Sequence, residues 1–75
     1  MRILIIEDTK ELADSMKAGL QREGFNVDVS YTGLKGEELA FVNEYDAVLL
    51  DLNLPDKDGL DILKFLRSSN VTAPV

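Results

Sequence analysis

The chain has 75 residues, with 14 Asp and Glu against 8 Lys and Arg for a formal charge of −6, and it contains neither cysteine nor histidine. Those absences exclude disulfides, Cys/His zinc sites, thiol nucleophiles and Ser-His-Asp triads, and the acidic balance is the wrong sign for gripping phosphate backbones, so direct nucleic-acid binding is not expected. The length allows one domain with a thin core; no apolar run nears the ~20 residues of a membrane span, and Glu7 and Asp8 end the first run before a signal-peptide core can form, so a cytoplasmic location is expected.

Ile3 to Ile6 is a continuous β-branched and aliphatic run, the pattern of a strand covered on both faces. Asp8 or Thr9 can then cap a helix over residues 10 to 23, with Glu11 placed for a capping box, Leu12, Met16 and Leu20 as its core face and Gly24 as its stop. Phe25, Val27, Val29 and Tyr31 alternate with polar residues, which predicts an edge strand. A second helix is expected from about Gly33 to Val42 on Leu34, Leu39, Phe41 and Val42, weakened by Gly36. Ala47 to Leu50 repeats the first motif as a second central strand closing on Asp51. Residues 52 to 58 are turn chemistry, and Asp58 can cap a third helix with Leu60, Leu63 and Leu66 on one face, ended by Ser68 to Asn70. Ala73, Pro74 and Val75 read as the entry to a fourth strand.

Strands alternating with helices imply βαβ units, and right-handed crossovers put the strands in order 2-1-3. Open α/β sheets bind ligands beyond the carboxyl ends of their strands where the order reverses, and there Glu7, Asp8 and Asp51 should converge. Two like charges ~4 Å apart repel by about 4 kcal/mol at an effective dielectric of 20, so three carboxylates call for a counter-ion. With oxygen ligands alone, magnesium or manganese fits best, and such an ion typically shares its site with a phosphate oxygen. A phosphoryl-transfer site follows, with Asp51, alone on its strand end, as the nucleophile. Asp56, Asp58 and Asp61 read instead as a solvated turn and a cap.

The string ILIIEDTKELADSMKAGLQREGF, followed by DAVLLDLNLPDKDGLDILKFLR, resembles the receiver domains of two-component response regulators, closest to the OmpR type. The resemblance implies a flavodoxin-like (CheY-like) α/β fold with a parallel sheet of order 2-1-3(-4), cut after the third helix at the start of strand four, so that residues 1–75 form a partial receiver domain. It implies that Glu7 and Asp8 hold magnesium, that Asp51 is the phosphoacceptor and also a metal ligand, and that Asn53 offers its backbone carbonyl to the metal. Pro55 and Gly59 match the loop that shapes that pocket. It further implies a sensor histidine kinase as phosphoryl donor and a DNA-binding transcriptional regulator as the full-length parent. Val75 precedes the hydroxyl, aromatic and lysine residues of the family's later strands, so a fragment is expected.

Two other readings compete. Haloacid dehalogenase-type phosphohydrolases also place an aspartate nucleophile after a parallel strand, but usually with a second Asp two residues on, where this chain has Asn53. Alternatively, the chain is a self-associating structural fragment with an idle acid site. An uncovered sheet edge beyond strand three leads us to expect a homodimer or domain-swapped oligomer.

Overall fold

A computed structural model describes residues 1–75. The elements follow in the order β1 (Arg2–Ile6), α1 (Lys10–Arg22), β2 (Asn26–Ser30), α2 (Gly33–Val42), β3 (Ala47–Leu50) and α3 (Gly59–Ser68). The three strands are parallel in the order β2-β1-β3, with Ile3 opposite both Val27 and Ala47. This is the truncated CheY-like flavodoxin arrangement expected from the sequence. No helix is long and apolar enough to cross a membrane.

β1 is central because both of its faces are apolar. Ile5 packs with Val27 and Ala13 under α1, and Leu4 and Ile6 pack with Val48, Ala40, Tyr45, Leu54, Ile62 and Leu66 under α2 and α3. β3 pairs with β1 on one side only. On its other side Val48 N–H donates to Pro74 O at 2.8 Å, so the segment read as the entry to a fourth strand does lie along β3, although it is not itself strand.

The helix ends follow from local chemistry. Gly24, at φ 92°, lets α1 close with Phe25 N–H on Leu20 O and Gly24 N–H on Gln21 O, and Asn70, at φ 64°, closes α3 in the same way through Val71 on Leu66. At the start of α1, Thr9 occupies the cap but makes no side-chain cap hydrogen bond, so the expected capping box with Glu11 does not form. The Glu7 carboxylate accepts from the Thr9 amide instead.

The helix faces agree with those expected at Met16, Leu20, Leu39 and Leu66, which pack into the core, and differ elsewhere. In α2 the buried residues are Gly33, Gly36 and Ala40, while Leu34, Phe41 and Val42 are exposed. A Cβ on Gly36 would stand 2.6 Å from Ile6 atoms, so α2 presses its backbone onto β1 and turns Leu34, Phe41 and Val42 outward, while Leu39 packs against the core. Gly36 is thus a packing requirement of the helix, not only a weakness in it. Phe41 finds a partner in Phe65 of α3, with ring centroids 5.7 Å apart. In α1 it is Ala13 that is fully buried, and Leu12 is 48% exposed. In α3, Ile62 and Leu66 are fully buried and Leu60 is exposed. β2 is shorter than the alternation suggested, with Tyr31 outside it.

Candidate functional site

Two backbone hydrogen bonds carry the sheet ladder past the ends of β1 and β3. Glu7 N–H donates to Ser30 O at 3.0 Å, and Asp51 N–H donates to Ile6 O at 3.0 Å. Acids that follow directly on these strands are therefore held by the sheet itself, at the switch point of the strand order. There one carboxylate oxygen each from Glu7, Asp8 and Asp51 lies within 4.8 Å of the others. Glu7 and Asp51 are half-buried and Asp8 is exposed.

The electrostatics are those of an uncompensated cluster. The Thr9 amide is the strongest single influence on Glu7 and favours its charged form. Desolvation and the Asp8 and Asp51 carboxylates together outweigh it, and the Glu7 carboxyl is pushed above its usual range. The ion pairs of the fold, Arg2–Asp28, Lys35–Glu38 and Lys57–Glu37, all lie elsewhere. Ligand oxygens ~2.1 Å from an octahedral magnesium are about 3 Å apart when adjacent and about 4.2 Å when opposite. The three carboxylate oxygens, all within 4.8 Å of one another, are close to that spacing. The all-oxygen donor set therefore fits a hard divalent cation.

Asn53 is brought to the same place by a local turn. Its amide donates to Asp51 Oδ1 at 2.9 Å, which fixes the first residues of the loop that leaves β3. Gly59 closes the loop from the far side. A Cβ there would lie 2.7 Å from Asp51 O and Leu52 Cα, so only glycine lets the start of α3 sit against the backbone that carries Asp51. Asp58 caps α3 as expected, accepting from Leu60 N–H at 2.9 Å.

Asp56 lies on an exposed turn, as expected, but its partners were not foreseen. It is not a free turn acid: Oδ1 accepts from Gly33 N–H at 2.8 Å and Oδ2 from Leu34 N–H at 2.9 Å. The Leu34 and then the Gly33 amide hold its carboxyl below the usual carboxylate range. The partners lie 22 and 23 residues away, and no local pattern announces such a pairing.

Comparison with known proteins agrees with this geometry. Residues 3–75 match the model of the response regulator receiver domain. The chain is 43% identical over 75 residues to the transcriptional regulatory protein CusR of Escherichia coli K12, covering all of this chain and 33% of that protein, so it spans about a third of that relative's length. Among solved structures it superposes on the Francisella response regulator 1452 receiver domain with a TM-score of 0.93 and 31% identity, covering 99% of this chain and 61% of that one. It also matches the receiver domain of the Pseudomonas aeruginosa sensor histidine kinase PA1611, at TM-score 0.87 and 28% identity over 93% of this chain and 57% of that one, a structure with a magnesium ion coordinated in its active-site cleft. The acids gathered at the strand ends, the 2-1-3 sheet and these matches agree, and the chain belongs to the response regulator receiver domain family.

Proposed function

We propose that this chain is a phosphoacceptor signalling module rather than a turnover enzyme, with Asp51 taking a phosphoryl group from a sensor histidine kinase. The observation that carries the reading is the meeting of Glu7, Asp8 and Asp51 within 4.8 Å on two rigid strand ends. Glu7, Asp8, Asp51 and the Asn53 carbonyl would hold magnesium or manganese, and the bound ion supplies charge neutralisation for the phosphoryl oxygens.

The rest of the chemistry belongs to the chain. An Asp51 carboxylate oxygen forms the new bond to phosphorus as the bond from phosphorus to the donor's imidazole nitrogen breaks, and that nitrogen takes up a proton. The Asn53 amide, donating to Oδ1, orients the carboxylate so that its other oxygen faces the donor. Acting beside such a kinase, the chain works in the cytoplasm, and its parent is a DNA-binding transcriptional regulator, as the likeness to CusR supports.

Self-association is the second part of the reading. Ile5, Leu12, Met16, Leu49 and Val75 line a mainly apolar groove beside β3, whose outer edge is met by the chain only through Val48 N–H on Pro74 O, and a strand edge left largely unpaired recruits another strand. A homodimer or domain-swapped pair through this side is expected. Light scattering at high micromolar concentration checks it, and a monomeric mass refutes it.

The main test treats the protein with phosphoramidate in magnesium and locates the adduct by mass spectrometry of peptides. A phosphoryl group confined to Asp51 is expected. An adduct on Asp8, or equal labelling of the Asp51→Asn variant, overturns the assignment.

A further inference from the structure

The loop from Leu52 to Asp58 begins at the proposed phosphoacceptor and carries Asn53. Two adjacent side chains on it reach across to α2. Asp56 accepts from Gly33 N–H and Leu34 N–H, the first two amides of that helix, which a helix cannot pair internally. The next two amides are satisfied from within, Lys35 N–H by Thr32 Oγ1 at 3.3 Å and Gly36 N–H by Thr32 O at 3.0 Å. One turn further on, Lys57 Nζ lies 2.6 Å from Glu37 Oε2, a buried oxygen with no other partner, so the ammonium is what compensates that charge. Gly33 leaves the room this needs, since a Cβ there would stand 3.1 Å from Asp56 Oδ1 and from Leu54 Cδ1.

We infer that Asp56, supported by Lys57, is a positioning residue that ties the metal-binding loop to the start of α2 and so fixes where Asn53 presents its carbonyl. The inference rests on the metal site proposed above. Leu54 is buried in the core, Asp51 is held by β1, and Asp56 supplies the anchor on the far side of Asn53, so the loop is fixed both before and after that residue. Metal ligands carried on loops depend on such supports, and removing one typically lowers affinity by about 10- to 100-fold. The low end applies here, because Leu54 and the Asp51–Asn53 turn remain.

Manganese titration of the wild type, Asp56→Ala, Asp56→Asn and Thr32→Ala tests this, with amide hydrogen exchange recorded on each. Asp56→Ala is expected to weaken manganese binding about tenfold and to speed exchange at Gly33, Leu34 and Asn53. Asp56→Asn, which keeps acceptor oxygen for one amide, should fall between. Thr32→Ala removes the helix's own cap without touching the loop, and should leave manganese affinity within about twofold of wild type. Unchanged affinity in Asp56→Ala, or equal weakening in Thr32→Ala, overturns the proposal. A wild type that binds no manganese defeats the functional reading instead, and Asn53 exchange in Asp56→Ala then decides alone whether Asp56 holds the loop.

Discussion

The two ends of the sheet treat carboxylates in opposite ways. Towards the amino end, Asp28, midway along β2 and opposite Leu4, receives the Arg2 guanidinium through Nη2 at 2.9 Å and Nε at 3.2 Å, and the Tyr45 hydroxyl at 2.8 Å. Arg2 also stacks on the Tyr45 ring at 4.8 Å, and its amide donates to Asp46 at 2.7 Å. At the carboxyl end, the same strands deliver three carboxylates with no cation among them. Like charges are held together there because the strand ladder fixes the backbones of Glu7 and Asp51. The fold is therefore consolidated at one end and left electrostatically unfinished at the other, and the unfinished end is where an ion and a phosphoryl group would be bound.

Removing one acid from the unfinished end should have the largest effect. Asp51→Asn is expected to abolish phosphoryl labelling and to weaken manganese binding more than tenfold, since a neutral amide replaces a charged ligand. In metal-free buffer it should also stabilise the protein. At 4.8 Å each like-charge pair costs about 1 kcal/mol in a water-like dielectric, and Asp51 belongs to two such pairs, so a gain of about 1 to 2 kcal/mol is expected, shrinking as salt is added. Urea unfolding with and without manganese measures both signs. A metal-free Asp51→Asn no more stable than wild type would mean that the cluster is already compensated.

Glycine substitutions ask how far that end depends on close packing. Gly59→Ala sets a Cβ 2.7 Å from backbone atoms of Asp51 and Leu52, which cannot swing aside, and Gly36→Ala sets one 2.6 Å from the buried Ile6 side chain. Overpacking of this kind costs about 1 to 3 kcal/mol, which exceeds the ~1 kcal/mol that alanine gains over glycine inside a helix. Both variants should lower the urea midpoint. Only Gly59→Ala should also weaken manganese binding, because only it displaces the backbone that carries Asp51.

These glycines mark where the sequence was legible and where it was not. The apolar runs at β1 and β3 and the acids that close them could be read directly, because strand burial and strand order both have local or topological signatures. That was enough to bring Glu7, Asp8 and Asp51 together. The faces of the helices were legible only in part, at Met16, Leu20, Leu39 and Leu66. Leu34, Phe41 and Leu12 look like core by size, yet α2 approaches β1 so closely that Gly36 and Ala40 take the inside positions, and in α1 Ala13 does. Size patterns predict a face only when the distance between layers is known. The partners of Asp56 were hidden for a related reason, since they are helix amides that only the fold brings to that turn.

The smallest expected effect comes from the consolidated end, and it is read through pH. The Tyr45 hydroxyl, with the Arg2 guanidinium, holds the Asp28 carboxyl below its ordinary 3.8, so the unfolded chain takes up that proton first. The resulting stability is present above pH 3.8 and is lost as the pH falls through the depressed value. Tyr45 behaves in the reverse sense. Burial, and then its bond to Asp28, push the phenol from 10.0 up to about 12, so its contribution is intact below pH 10.0 and disappears as the pH rises towards 12. Arg2 and Asp28 are partly exposed and screened by solvent, and the acid limb is therefore worth no more than about 1 kcal/mol. Urea midpoints measured across pH should show both limbs in the wild type, and Asp28→Asn should flatten the acid one while leaving manganese affinity at the opposite end of the sheet unchanged. A loss of manganese binding in Asp28→Asn would show that the two ends are coupled through the strands.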